Sequence, residues 1–218
     1  MPGRRAALVI RRDQILKAAY DVASRKGLEG LTVRLVASRA RLSAGLVLFH
    51  FKSRDQLIVA LLDWLLATTT ILRVGPEIAG IASPLDRLLA LLRQEMDRLA
   101  AEPRRIRLFF EFWVLGGRHP EIAAKMRGEL ARYREAFRPM AQEVLVAEPD
   151  RFSDVTPDGL AAVAVSFIKG CAVQSMIDPK RFDIVEYLAA AEALLGALRA
   201  PPPARRRAAS RQWRPAAG

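Results

Sequence analysis

The sequence predicts an all-α fold, with a small N-terminal three-helix unit joined to a larger helical body. Three observations support this. Apolar residues recur at three- and four-residue spacing through most of the 218 residues. No stretch shows the two-residue alternation or the turn pair of a strand hairpin. Gly and Pro fall between the periodic segments, apart from Pro139, which should kink or divide the pattern that contains it.

The first helix is expected over 12–26, where Ile15, Ala18, Ala19, Val22 and Ala23 form one stripe and Gly27 stops it. Thr32 can cap the next start, and Val33, Val36, Ala37 and Ala40 make a short helix. Ser43 can cap a second short helix reaching His50. Small Ala37 and Ala40 suit a close crossing, with Leu42 and Val47 filling the angle between the two. Ser53 caps a linking helix over about 53–73, with Asp55 complementing its dipole. Helical patterns then follow over 85–101, 104–116, 119–146, 157–177 and 182–199. The expected division is a head over 1–58, a body over 59–199 and a disordered basic tail over 200–218.

Charge is distributed unevenly. The chain has 35 Lys+Arg against 23 Asp+Glu, net +12. Residues 1–60 carry 12 basic and 4 acidic side chains, and residues 200–218 carry 5 Arg and no acid, so the middle is close to neutral. A neutral body with a basic head suggests a polyanion partner. The single Cys171 excludes an internal disulfide framework and a Cys-rich zinc site. His50 and His119 lack a carboxylate cluster, so no metal and no cofactor are expected. No uninterrupted apolar run reaches the ~18 residues of a membrane span. Arg11, Arg12 and Asp13 follow the apolar patch at 6–10 too closely for a signal peptide. A cytoplasmic protein without a membrane partner is expected.

Two short helices clamped by a preceding one present a recognition helix to the major groove. The run Ile15-Leu16-Lys17-Ala18-Ala19, Gly27, Thr32-Val33-Arg34, Ala37, Ala40, Leu42-Ser43, Gly45, Phe51, Ser53-Arg54 and Leu57 resembles the DNA-binding region of tetracycline-repressor-like (TetR-family) regulators. The stretch from Ser43 to Phe51 is similar to the choline/betaine-regulator branch. Arg41 stands where the family usually has Gly, Leu48 where Tyr is frequent and Arg54 where Lys is frequent. The resemblance implies a homodimeric, ligand-released repressor on a palindromic operator.

On this basis the expected DNA-binding residues are Thr32, Arg34, Ser43, Ala44, Gly45, Phe49, His50, Lys52 and Arg54. Arg34 suits guanine O6 and N7, Ser43 and the helix start suit a phosphate, and Ala44 and Gly45 permit close approach. Phe49 meets the groove wall or else packs on the following helix. His50, Lys52 and Arg54 are phosphate candidates. A body pocket for a small-molecule effector is expected among Trp64, Leu92, Met96, Phe109, Trp113 and Phe137, with Phe109 and Trp113 on one helical face. A small-residue stripe, Ala161, Ala164, Val165, Ile168, Ala172 and Ser175, suits an isologous dimer contact or a core helix within the chain. A helical enzyme acting on a small apolar substrate is the alternative. It lacks an activated nucleophile or paired carboxylates, so no enzyme activity is expected.

Overall fold

The computed structural model describes residues 2–69, 74–150, 152 and 154–197. The predicted tail, with Arg205–Arg207 and Trp213, lies outside the described residues. Ten helices and no strand are present among the described residues: α1 (Pro2–Lys26), α2 (Val33–Ala40), α3 (Ala44–Phe51), α4 (Arg54–Ala67), α5 (Pro76–Ala79), α6 (Pro84–Ala101), α7 (Pro103–Gly116), α8 (Pro120–Ala147), α9 (Pro157–Ile177) and α10 (Ile184–Ala197).

The starts follow local chemistry. Thr32, Ser43, Ser53, Ser83 and Thr156 each accept a backbone N–H of their own first turn. Pro76, Pro84, Pro103, Pro120 and Pro157 open helices, where a missing N–H costs nothing and φ is preset. Gly27 closes α1 at φ 73°, and a Cβ there would also lie 3.2 Å from the Glu111 carboxylate.

Three expectations need correction. The first helix begins at Pro2, ten residues before the apolar stripe, because 2–11 needs no buried face to continue a helix already nucleated. Leu8, Val9 and Ile10 are exposed on it. The linking helix ends at Ala67, where the Thr68 and Thr69 hydroxyls donate to the Trp64 and Leu65 carbonyls. Pro139 neither divides nor ends α8, since the Glu135 carbonyl it deprives of a partner sits on an exposed turn. By length and composition α9 could cross a bilayer, yet here it packs against α8 and α6 as a core helix.

Two apolar cores result. The first joins α1–α4 to Leu108 and Phe112 of α7 and Ile122 and Met126 of α8. The second fills the space between α5, α6, α8, α9 and α10, with Ile106 of α7 at its edge. Packing therefore does not divide at 58/59. Helix α4 belongs to the head's core through Leu57, Ile58, Leu61, Leu62 and Leu65, and α7 spans both cores.

The turn between α2 and α3 uses Arg41 at φ 57°, ψ 46°. The Leu42 N–H bonds the Ala37 carbonyl at 2.9 Å and the Arg41 N–H bonds Ser38 at 3.1 Å, the pairing of a left-handed helix stop. A side chain in this conformation costs about 1 kcal/mol. Arg41→Gly is therefore expected to raise unfolding stability by about 0.5–1 kcal/mol, read as a higher urea midpoint at unchanged slope; a lower midpoint would refute the strain.

Candidate functional site

Helix α3 is held from behind by polar closures as well as by apolar packing. Gln14 Nε2 donates to the Ala40 carbonyl at 2.8 Å, capping the end of α2. Asp21 on α1 receives Arg39 of α2 and Arg25. Arg12 lies 4.4 Å over the Phe51 ring, and its Nη1 contacts the His50 carbonyl at 3.4 Å. Val47 and Phe51 of α3 are buried, which turns Gly45, Leu48 and Phe49 outward.

The outward face is unusual for a free surface. A Cβ on Gly45 would meet nothing within 4 Å. Phe49 is 62% exposed, with the His50 ring edge-on to it and the Lys52 ammonium 5.5 Å from its centre, and so is mostly open to solvent. Burial and the nearby Arg12 and Arg11 push the His50 imidazole below its ordinary pKa. Lys52 sits at φ 58°, ψ −41°, and the Ser53 N–H reaches back to the Phe51 carbonyl at 2.6 Å. This tight γ-type turn is strained and sharply redirects the chain into α4. Arg34 is exposed and has no partner among the described residues. Thr32 and Ser43 are exposed caps, and Ala44 is half-buried at the start of α3.

Arg54 is engaged within the chain. Its Nε donates to the Leu31 carbonyl at 2.7 Å, and its Nη2 to Leu28 at 2.7 Å and Glu29 at 3.3 Å. The guanidinium thus clamps the α1–α2 loop through Nε and Nη2, a structural role the sequence did not show, while the side chain stays 41% exposed with Nη1 3.7 Å from Asp55.

In the body, Phe109 and Trp113 do share a cavity between α6, α7, α8 and α9. Phe110 and Trp113 meet edge to face at 5.4 Å, and Trp113 is 38% exposed. The free space is small, about 30 Å³, so anything beyond a water or two must widen it. The other four predicted members do not line it. Leu92, Met96 and Phe137 are buried in the second core, Met96 reaching only a neighbouring cavity beside Cys171. Trp64 faces the head, donating to Asp13 at 2.9 Å and packing 5.7 Å from Tyr20.

Sequence reasoning missed the cavity's polar wall. Buried Glu95 (1% exposed) is held by Arg98 through two bonds, 3.2 and 2.7 Å, and Arg98 also donates to the Tyr133 hydroxyl at 3.1 Å. Burial pushes the tyrosine up to about 12 against the pull of Arg98, and the arginine, whose burial disfavours its charge, is held above its ordinary value by Glu95. Glu129 accepts from Arg132 at 3.0 Å through one oxygen, while the other, Oε1, is buried without a partner. Burial raises its pKa. Lys169 lies 4.0 Å over the Tyr133 ring, and burial brings its ammonium down to about 8. The available signal was a charge at a core-facing step: Glu95 between Leu92 and Leu99, Glu129 between Met126 and Tyr133, Lys169 in the apolar α9.

Cavity and head are physically connected. Glu111 on α7 accepts the Leu28 N–H at 2.6 Å, at the loop clamped by Arg54. Arg105, on the same helix and lining the cavity, donates to the Leu65 carbonyl and the Thr68 and Thr69 hydroxyls at 2.7–2.9 Å, closing α4.

The small-residue stripe resolves toward the core. Ala161, Ala164, Val165, Ile168 and Ala172 are buried within the single chain, and half-buried Ser175 bonds the Cys171 carbonyl. Ridge packing against α8 and α6 uses this face, so it is not open to a second copy.

A helix-turn-helix head seated on a helical body with an internal cavity defines a ligand-responsive DNA-binding transcription regulator. Residues 15–61 match the bacterial regulatory proteins of the tetR family, and residues 84–200 match the BetI-type transcriptional repressor C-terminal region. The chain belongs to the TetR family, with a BetI-type C-terminal half. It is 25% identical over 174 residues to an uncharacterised HTH-type regulator of the dhlA 5′ region in Xanthobacter autotrophicus, covering 79% of this chain and 83% of that one. It is 25% identical over 178 residues to the regulator BetI of Cronobacter sakazakii, covering 80% and 84%. A transcriptional regulator from Saccharomonospora viridis, solved with choline, shares the fold at TM-score 0.69 and 17% identity over 85% of this chain and 95% of that one.

Because Lys169 is held near 8 in the fold and titrates near 10.5 when unfolded, the unfolded chain binds more protons between those values. Stability should therefore rise with pH across that window and stay level below it; burial and Arg98 both depress the ammonium, and Glu129 and Glu95 oppose them. Lys169→Met should remove the rise. Melting profiles of both proteins from pH 7 to 10.5 test this, and parallel profiles would contradict it.

Proposed function

We propose that the chain acts as a cytoplasmic homodimer that represses transcription from a palindromic operator and is released by a small molecule. One observation carries the DNA assignment: the outward face of α3 holds an open Gly45 and a mostly exposed Phe49, with the unpaired cations Arg34, Arg41 and Lys52 exposed on the head. Solvent alone gives no reason for a phenyl ring there, whereas a groove wall does. In this reading Ala44 and Gly45 permit close approach, and Arg34 reaches a base edge. Ser43, His50 and Lys52 meet phosphates, and Thr32 caps the helix bearing Arg34. Residues 1–58 carry the reading and 59–199 the effector response.

Exposed apolar residues support a different dimer face from the expected stripe. Val163 and Ile177 of α9 and Val185 and Leu194 of α10 lie outside both cores. A second copy docking there by two-fold symmetry would cover them. The relatives support repression, and the reading calls for no bond-making chemistry.

Effector entry would widen the cavity by displacing α7. That helix also holds the Leu28 amide and the end of α4, so the head shifts and operator affinity falls. By linkage, operator binding weakens effector binding by the same factor.

Arg34→Ala should weaken operator binding by about 1–3 kcal/mol while leaving folding stability unchanged, and Lys52→Ala should lower the salt slope by about 1. Arg54→Ala should instead cost about 2 kcal/mol of folding stability, through three lost carbonyl contacts. Fluorescence titration against upstream DNA and urea unfolding separate the two effects, and operator affinity unchanged in both Arg34→Ala and Lys52→Ala would end the head assignment. Glu111→Ala should speed hydrogen exchange at the Leu28 amide without unfolding the body; unchanged exchange would show that α7 does not hold the head.

A further inference from the structure

Among the described residues the buried polar side-chain atom without a partner is Glu129 Oε1, on a residue that lines the cavity and is 5% exposed. Lys169, on the same lining, has an ammonium that rests on the Tyr133 ring and, among the described residues, makes no hydrogen bond or contact ion pair, feeling the Glu129 charge only at longer range. An acceptor without a donor and a donor without an acceptor thus share one enclosed space. The other cations of the wall are engaged: Arg98 with Glu95 and Tyr133, Arg105 with the end of α4. Thr69 is engaged as well, with the Leu65 carbonyl and Arg105, and the rest of the lining is apolar or aromatic, with Phe109, Phe110, Trp113 and Leu130.

Leaving a buried acceptor unpaired is costly, and a site built to pair it selects ligands that can. We infer that the cavity takes an uncharged apolar or aromatic molecule whose head carries a donor beside an acceptor, a primary carboxamide or a hydroxyl. The head donates to Glu129 Oε1 and accepts from Lys169 Nζ, while the body lies on Phe109 and Trp113. A quaternary ammonium would be drawn to the aromatic rings and the Glu129 charge, but it has no N–H for Oε1 and would face the Lys169 ammonium. A carboxylate also has no donor and would face the unpaired oxygen. The inference deepens the effector assignment and rests on it.

The test uses three probes with one ring: benzamide, benzoate and benzyltrimethylammonium. Each is titrated calorimetrically into the full chain without DNA. Benzamide should bind about tenfold or more tightly than either charged probe, and Glu129→Met and Lys169→Met should each weaken it about tenfold. Glu129→Met should also raise the melting temperature of the free protein, since it removes the unpaired oxygen. Glu129→Gln, which keeps the shape, serves as second variant. Equal or tighter binding of a charged probe, no benzamide binding, or benzamide binding indifferent to both positions would overturn the inference. A parallel operator-release assay separates the two readings. Benzamide bound in the expected pattern without effect on operator affinity keeps the head-group chemistry and rejects the effector role. Operator release by a charged probe keeps the role and rejects the chemistry.

Discussion

The head cannot complete its own core. Helices α2 and α3 are eight residues each, too short to persist without tertiary packing. They are covered by α1 and α4, and that core closes only when Leu108, Phe112, Ile122 and Met126 of the body pack into it. The orientation of α3 therefore depends on α7, and α7 is also a wall of the cavity. Glu111 and Arg105 add two polar anchors along the same helix, one to the α1–α2 loop and one to the end of α4. Interfaces of this kind shift between discrete arrangements instead of deforming smoothly, which makes α7 a suitable lever.

The recognition helix itself is nearly uncharged, Ala-Gly-Leu-Val-Leu-Phe-His-Phe. In the proposed reading its contribution is shape and apolar contact, while charge comes from its neighbours Arg34, Arg41 and Lys52. Two of these three hold the backbone at positive φ, Arg41 in the turn that precedes α3 and Lys52 at its end. Strain kept at both borders of one short helix is consistent with a position set by what the helix must meet and not by local preference. Arg54 shows the opposite case: a basic residue at a family-typical position whose guanidinium is committed to carbonyls of its own chain.

The body pairs a fully apolar core with a polar cavity wall. Glu95, Arg98, Tyr133, Glu129 and Lys169 project from α6, α8 and α9 into one region. Removing such groups from water is expensive and is only partly repaid by pairing. Stability alone gives no reason to keep a half-satisfied cluster there, and ligand selection gives one.

All-α class, the capped starts at Thr32, Ser43 and Ser53 and the helix-turn-helix spacing were legible in the sequence, because caps, breakers and 3.6-residue stripes act over a few neighbouring residues. The outward placement of Arg34 and Phe49 followed from the same periodicity. Apolar faces that look alike in one dimension were not separable: the stripe Ala161–Ser175 could meet another copy or the chain's own α8, and only packing chose the latter. Phe137 and Phe109 carry the same ring at comparable helical positions, yet one is fully buried and the other lines the cavity. Arg54 and Glu111 depend on partners 23 to 83 residues away. Local pattern determined the helices and the reading motif. Which face covers which, and therefore where the cavity lies and what holds the head, was decided by three-dimensional packing, since burial is a property of neighbours the sequence does not place side by side.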